Sequence, residues 1–152
     1  MRAYEYLNQL KRLDEEIERS IEKEVELWSA VTNATQALNG MPHAPGVCDK
    51  VGNAVSKMAA QREKTNALID RYADAKRDVL LHLSALTPKQ REVLCWMFVY
   101  RRENRERGQD LYYTWAEVAK ALECSEQNIA KIRVRAIKNL QKILDSEKKV
   151  LS

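Results

Sequence analysis

Residues 114–140 read TWAEVAKALECSEQNIAKIRVRAIKNL, which is the pattern of two short amphipathic helices joined by a tight turn. Thr114, with Glu117 three residues later, forms a capping-box signature that begins the first helix. Ser125 is a favoured N-cap residue and begins the second helix after the turn at Glu123 and Cys124. Apolar residues recur at helical spacing on one side of each helix: Trp115, Val118, Ala119 and Leu122 in the first, and Ile129, Ile132, Ala136, Ile137 and Leu140 in the second. Two capped amphipathic helices so close together predict a helix-turn-helix.

The side of the second helix that lies opposite its apolar face carries the candidate site. At about 100° per residue, this side and its flanks contain Gln127, Asn128, Ala130, Lys131, Val134, Arg135 and Lys138, with Ser125 at the helix start. The first turns of a recognition helix approach base edges, so Gln127, Asn128 and Lys131 are predicted to read bases, and Arg135 and Lys138 to hold phosphates. Residues 127–144 hold five basic side chains and no acid, which fits a polyphosphate partner. A solvated basic helix face would show the same count.

A further helix is predicted immediately before this motif. Thr87 and Gln90 form a second capping-box signature, and Pro88 suits the first helical position. The expected buried face is Val93, Leu94, Met97 and Phe98, and Gly108 is the expected helix end. Four arginines precede that glycine and alternate with acids, which predicts a solvated helix with internal ion pairs; phosphate contact is the alternative: Arg101, Arg102, Arg105 and Arg107.

The first half of the chain shows heptad-like apolar spacing, typical of two long helices. The first series is Leu10, Leu13, Ile17, Ile21, Val25, Trp28 and Val31, and the second is Val51, Val55, Met58, Arg62, Thr65, Ile69, Tyr72, Lys76, Val79, Leu83 and Leu86. Gly40 and the prolines at 42 and 45 predict the break between them. The polar members of the second series, Arg62, Thr65 and Lys76, predict a loosely packed middle or contact with a partner. An antiparallel hairpin and pairing with a second copy of the chain both fit.

Composition favours an all-α protein of two parts. The 152 residues are 45% apolar, with only four glycines and three prolines. We expect a coiled-coil-like helical hairpin over residues 1–85, for oligomerisation or partner contact, and a helix-turn-helix DNA-binding domain over residues 86–152. The net charge of +4 combines −1 over residues 1–85 with +5 over residues 86–152, which carry 14 basic and nine acidic side chains. That distribution suits double-stranded DNA as the partner.

Several classes of protein are disfavoured. Cys48, Cys95 and Cys124 show no C-x-x-C spacing, and only His43 and His82 could join them at a metal, so we expect neither a metal site nor another cofactor. No nucleophile, base and acid stand at a recognisable spacing, so we do not expect an enzyme. The start lacks a secretion signal and no apolar stretch is long enough to span a bilayer, which predicts a cytoplasmic protein without membrane contact.

The same residues carry a resemblance to known families. The stretch from Thr114 to Lys142 resembles the helix-turn-helix of region 4 of sigma-70-type RNA polymerase factors, and LTPKQREVL at 86–94 resembles the helix that precedes it there. Together with the paired heptad helices, the whole chain is similar to the ArpU-like family of phage and prophage transcriptional regulators. The chain departs from sigma region 4 at Asn128 and Ala130, where arginines are typical, and in the longer stretch between Leu94 and Thr114.

The resemblance implies a sequence-dependent DNA binder acting at promoters, with RNA polymerase as a further candidate partner. Because no segment resembles the promoter-melting region of a sigma factor, an accessory regulator is the expectation. A DNA-packaging oligomer similar to a phage small terminase subunit is the alternative, since it too joins a helix-turn-helix to an oligomerising coiled coil. A protein-interaction module whose basic helix binds an acidic partner is a third. The target sequence, and the choice between activation and repression, stay open.

Overall fold

The computed structural model describes residues 2–38, 47–103, 105–106 and 109–151, with side chains excepted at 34–38 and 47–50. The helices are α1 (Ala3–Leu38), α2 (Val47–Leu83), α3 (Pro88–Leu94), α4 (Trp115–Ala121) and α5 (Glu126–Leu151). Within these described ranges there is no strand, only an isolated antiparallel bridge between Arg101 and Tyr112. The prediction of an all-α fold, with two long N-terminal helices followed by a helix-turn-helix, is confirmed. The predicted break at Gly40 lies outside the described residues.

Helix α3 begins where the sequence predicts but ends earlier. The Thr87 hydroxyl accepts a hydrogen bond from the Gln90 amide at 3.4 Å, and Pro88 occupies the first helical position. The Gln90 side chain instead accepts a bond at 3.1 Å from the Asn139 side chain on α5, so it links two helices. Beyond α3 the chain continues as a π-helical stretch, Cys95–Val99, and turns extended at Tyr100. The expected helix through the arginines to residue 108 is therefore wrong for the described residues of that segment.

The chain divides into two compact units, residues 1–11 with 74–152, and residues 12–73. The first unit contains α3, α4 and α5 together with the start of α1 and the end of α2. Both α3 and α4 pack against α5. Its fully buried side chains come from every one of these helices: Leu7, Leu10, Val79, Leu83, Val93, Leu94, Val118, Ile129, Ala136 and Leu140. Burial of each of the larger ones contributes about 1.5–3 kcal/mol, so this core positions α5. The domain boundary expected at residue 85, with partner contact before it and DNA binding after it, stays a prediction.

In the second unit, α1 and α2 meet through a partly polar contact. The hydroxyls of Ser20 and Thr65, both buried, lie 2.6 Å apart, and the Gln61 amide donates to the Ser20 hydroxyl at 2.6 Å. Glu24 pairs with Arg62 at 2.9 Å. The buried hydroxyl groups at this contact are therefore hydrogen-bonded to one another or to a neighbouring side chain.

Beyond Ile17, the apolar series on α1 does not face α2. The contact with α2 passes through Ser20 and Glu24, whereas Ile21, Val25 and Trp28 are 45%, 58% and 57% exposed. Helix α2 therefore packs on the side of α1 that carries Ser20 and Glu24, and these apolar side chains stay uncovered. Three members of the α2 series are likewise exposed: Val55, Arg62 and Ile69.

Candidate nucleic-acid interface

The first helix of the motif begins with the predicted capping box. The Glu117 amide donates to the Thr114 hydroxyl at 3.3 Å, and the Thr114 amide donates to the Glu117 carboxylate at 3.4 Å. Two amides that a helix start would leave unpaired are thereby satisfied. Helix α4 spans seven residues and buries Val118 and Ala119 against the rest of the unit.

The turn between α4 and α5 closes with a left-handed residue. Glu123 has φ 56°, and no other non-glycine residue in the described ranges has a positive φ. The Cys124 amide donates to the Ala119 carbonyl at 2.9 Å, and the Glu123 amide donates to the Lys120 carbonyl at 3.3 Å. This pair of bonds is a Schellman motif, whose left-handed position is usually glycine. The bonds turn the chain within three residues, which sets the angle between the two helices.

Helix α5 begins at the cap that the sequence predicts. The Ser125 hydroxyl accepts a hydrogen bond from the Asn128 amide at 3.2 Å, and its carbonyl accepts one from the Ile129 amide at 3.0 Å. Ser125 thus has a structural role at the helix start. Because its side chain is exposed, it also stays accessible to a ligand at that end of α5.

The predicted site residues occupy the exposed side of α5. Seven of the eight are exposed: Ser125, Gln127, Asn128, Lys131, Val134, Arg135 and Lys138. Ala130 is half-buried at the edge of this side. On the opposite side Ile129, Ala136 and Leu140 are fully buried, while Ile132 and Ile137 are half-buried. The helix therefore presents its polar and basic side outward.

Four of the five basic residues between 127 and 144 point outward. Lys131, Arg135, Lys138 and Lys142 are exposed, and within the described ranges no carboxylate forms an ion pair with them. Unneutralised cations spaced along one exposed helix attract a polyanion. We name Lys131, Arg135, Lys138 and Lys142 the basic face of α5.

Arg133, the fifth basic residue, points into the domain. Its guanidinium lies 5.1 Å from the ring of Trp115, 5.7 Å from that of Tyr4 and 5.9 Å from that of Phe98. Such distances are those of cation–π contacts. The count of basic residues between 127 and 144 includes Arg133, although its charge does not face outward. The signal against this was available, because Arg133 precedes the buried Leu140 by seven residues and so shares its side of the helix.

Trp115 departs from its predicted place in the core. It is 41% exposed at the start of α4, with the Arg133 guanidinium near its ring. The apolar spacing of α4 alone did not indicate this exposed aromatic ring.

The segment that precedes α4 is held by Arg102. Its side chain donates to the backbone carbonyls of Asp110 at 3.1 Å and Tyr112 at 3.2 Å, and it pairs with the carboxylate of Glu117. The hydrogen bond from Arg102 holds the pKa of Glu117 below its ordinary value. Arg102 therefore fastens the long connection to the helix-turn-helix, and the solvated intrahelical pairing expected for it is wrong.

The described part of the chain offers few features of a metal site, a reactive thiol or a membrane span. No cluster of three or more His, Cys, Asp or Glu side chains that could hold a metal ion occurs there. Cys95 is buried, and burial raises the pKa of its thiol, so the reactive thiolate is disfavoured. Among the described helices, none combines the length and apolar character needed to cross a membrane.

Comparison with protein families identifies the domain. Residues 82–142 match the model of sigma-70, region 4. The matched segment runs from the end of α2 through most of α5, so it contains the whole helix-turn-helix and its basic face. The chain thus carries a DNA-binding helix-turn-helix of the sigma-70 region 4 type, and that family consists of DNA-binding domains, not enzymes. Comparisons with curated proteins and with solved structures gave no match.

Proposed function

We propose that this protein is a transcription regulator that binds double-stranded DNA at promoters and reads the major groove with α5. The observation that carries the proposal is the two-sided character of that helix. Ile129, Ala136 and Leu140 anchor it in the core of its unit, while the basic face stays exposed. A helix held in this way can enter a major groove without unfolding its supports.

The exposed residues divide by chemistry into two roles. Gln127, Asn128 and Lys131 lie in the first turns of α5, where a recognition helix meets base edges, and their amides and ammonium group match adenine and guanine edges. Arg135 and Lys138 lie further along and suit phosphates. Ser125 and Ala130 flank the reading residues, and Val134 offers an apolar contact, for which a thymine methyl group is the natural partner.

The structure of the remaining chain supports an accessory regulator that acts with other proteins. The sigma-type match covers residues 82–142 only, and the two long helices before it offer surface for a partner. RNA polymerase and a second copy of this chain are the two partners that we consider for the hairpin of residues 1–85. The resemblance of the whole chain to ArpU-like regulators further favours a phage or prophage gene and action in the cytoplasm, where the promoters lie.

Fluorescence anisotropy with a labelled duplex of random sequence, at two salt concentrations, tests DNA binding directly. We expect binding at low salt that weakens steeply as salt rises, because each phosphate contact releases counterions. The charge reversal of both Lys131 and Lys138 to Glu should abolish binding. Reversal of both Lys23 and Lys64 to Glu, exposed cations on α1 and α2, changes the net charge equally and is the matched control, which should leave binding unchanged. Absence of binding by the unaltered protein at low salt would reject the proposal.

Selection of bound sites from random duplexes then tests sequence dependence. A recovered consensus supports reading by α5, whereas binding without any consensus contradicts it. Placing that consensus upstream of a reporter gene decides whether binding changes transcription, as we expect.

A further inference from the structure

Both helices of the second unit carry exposed apolar side chains. On α1, Ile21, Val25 and Trp28 are spaced by four and three residues and share one face, and all three are about half exposed. On α2, Val55 and Ile69 are 14 residues apart and are exposed to a similar degree. We call this set the hairpin stripe: Ile21, Val25, Trp28, Val55 and Ile69.

The α1 part of the hairpin stripe lines a groove between α1 and α2. A cavity of about 290 Å³ is lined by Ile21, Val25 and Trp28 from α1 and by Met58 and Arg62 from α2, with Glu24 beside them. Glu24 and Arg62 neutralise each other across it at 2.9 Å. The groove is therefore apolar at its rims and without net charge at its centre.

The exposed apolar area is large for a surface that meets only water. The five side chains of the hairpin stripe expose on the order of 500 Å² per chain, which is at the upper end of the patches found on monomers. Two copies that cover this surface on each other would bury on the order of 1000 Å² from these side chains alone. With their polar flanks they would reach the roughly 1200–2000 Å² of a stable interface.

The exposed apolar side chains of α1 are large, whereas the exposed residues beside the apolar residues of α2 are small. The stripe on α1 is bulky, with Trp28 as its largest member. Next to the exposed stripe on α2 stand four small or short residues at intervals of seven, all exposed: Gly52, Ala59, Asn66 and Ala73. A Cβ added at Gly52 would meet no atom within 4 Å, so this strip is open. Large side chains on one helix and a shallow strip on the other can interdigitate when α1 of one copy lies on α2 of the other.

We propose that a second copy of this chain docks on the hairpin stripe, with α1 of each protomer lying along α2 of its partner. The inference deepens the proposed function, and it rests on the assignment of the hairpin to partner contact. A two-fold pairing makes each contact twice, as closed dimers do. Each dimer would then contain two copies of the helix-turn-helix.

Analytical ultracentrifugation of the full chain without DNA tests the proposal. We expect a mass twice the 17.6 kDa of one chain. Trp28→Glu and Val25→Glu place a charge in the stripe and should each raise the dimer dissociation constant by a factor of about 100 or more, since a buried unpaired charge is costly. Ala30→Glu introduces the same charge at an exposed position on the other side of α1 and should leave the dimer intact.

A variant on α2 tests whether α1 of one protomer lies on α2 of the other. Ala59→Glu lies on the strip of α2 and should dissociate the dimer as Trp28→Glu does. Circular dichroism should show unchanged helix content for all four variants, so that loss of the dimer is separated from loss of the fold. A monomeric unaltered chain, or a closed ring of many copies, overturns the proposal. If the Ala59→Glu variant remains a dimer, the arrangement of α1 on α2 is overturned. Because no DNA is present, none of these results depends on whether the protein binds DNA.

Discussion

The guanidinium of Arg102 grips the carboxylate of Glu117 with two bonds, Nη1 to Oε2 at 2.5 Å and Nη2 to Oε1 at 2.7 Å. Glu117 at the same time completes the capping box with Thr114. One carboxylate therefore serves the helix start and the connection before it. This contact joins the segment before α4 to the helix that packs against α5.

Loss of Arg102 should loosen the start of α4. We expect Arg102→Ala to lower the Tm by a few degrees, since a bidentate charge-assisted contact is removed and Glu117 is left with its Thr114 bonds alone. Differential scanning calorimetry at neutral pH measures the change. Lys120→Ala, which removes an exposed cation from the same helix, serves as the control and should leave the Tm within about 1 °C.

The contribution of Glu117 should vanish in acid. The Arg102 hydrogen bond lowers the pKa of Glu117 in the folded protein, so the ionised form stabilises the fold above the ordinary glutamate pKa of about 4.3. That stabilisation is lost as pH falls through the lowered folded value. The difference in Tm between the unaltered chain and Glu117→Gln should therefore shrink between about pH 5 and pH 3. An unchanged difference over this range would contradict the prediction.

His82 should make the stability of the fold decrease as pH rises above the pKa of its imidazole. Its Nε2 lies 2.7 Å from the Glu147 carboxylate, and its Nδ1 lies 2.7 Å from the Tyr6 hydroxyl and 2.8 Å from the Asp78 carbonyl. The Tyr6 hydroxyl itself donates to the Asp78 carboxylate at 2.6 Å, so both ring nitrogens face acceptors. Burial alone would lower the pKa of His82, but the hydrogen bond to Glu147 and the backbone bond at Asp78 outweigh it and raise that pKa.

The sign of the effect follows from that raised pKa. The stabilisation by protonated His82 is complete below the unfolded value of about 6.5 and is lost as pH rises through the higher folded value. We expect the Tm of the unaltered chain to decline as pH increases from about 6 to above neutrality. His82→Gln should lack this decline, and calorimetry over a pH series compares the two. NMR titration of the His82 ring provides the independent check, and a pKa at or below 6.5 would refute the assignment.

Glycine at position 123 should stabilise the turn of the helix-turn-helix. The φ of 56° is strained for Glu123 and free for glycine, so we expect Glu123→Gly to raise the free energy of unfolding by about 0.5–1 kcal/mol. Urea denaturation measures it. Glu123→Gln keeps the strain but removes the charge, and it should leave stability nearly unchanged. Equal stabilisation by both variants would show that charge, not backbone conformation, is responsible.

Two basic residues on α5 should differ in their effect on DNA binding. Lys138 is exposed, so Lys138→Ala should weaken binding to every duplex and reduce the slope of log K against log salt by about 1. Arg133 is turned toward Trp115, Tyr4 and Phe98. We expect Arg133→Met to lower stability and to leave the salt slope unchanged. Anisotropy titrations at several salt concentrations distinguish the two residues. A reduced slope of log K against log salt for Arg133→Met would place the Arg133 charge at the DNA.

Gln127 should affect discrimination more than affinity. We expect Gln127→Ala to narrow the difference in affinity between a selected site and a random duplex by about 1–3 kcal/mol, because a side chain that reads a base edge is removed. Competition binding with the two duplexes measures it. A uniform loss on both duplexes would assign Gln127 to phosphate contact.

Short-range patterns in the sequence determined where α3, α4 and α5 begin and which side of α5 is buried. Thr87, Thr114 and Ser125 cap the helices that they were predicted to cap, and Ile129, Ala136 and Leu140 form the buried side of α5. These features depend on residues within one or two turns of each other, where hydrogen-bonding geometry and helical periodicity leave few choices. The exposed position of the candidate DNA-reading residues follows from the same periodicity.

Only the tertiary structure decided which distant groups meet. Glu147 is hydrogen-bonded to His82, which lies 65 residues away in the sequence. The Arg133 guanidinium contacts the ring of Tyr4, near the other end of the chain. The stripe of Ile21, Val25 and Trp28 was left exposed because α2 packs on the neighbouring face of α1, through Ser20. Each of these outcomes depends on how helices are placed against one another, and that placement is set by the packing of the whole core, which no local pattern encodes.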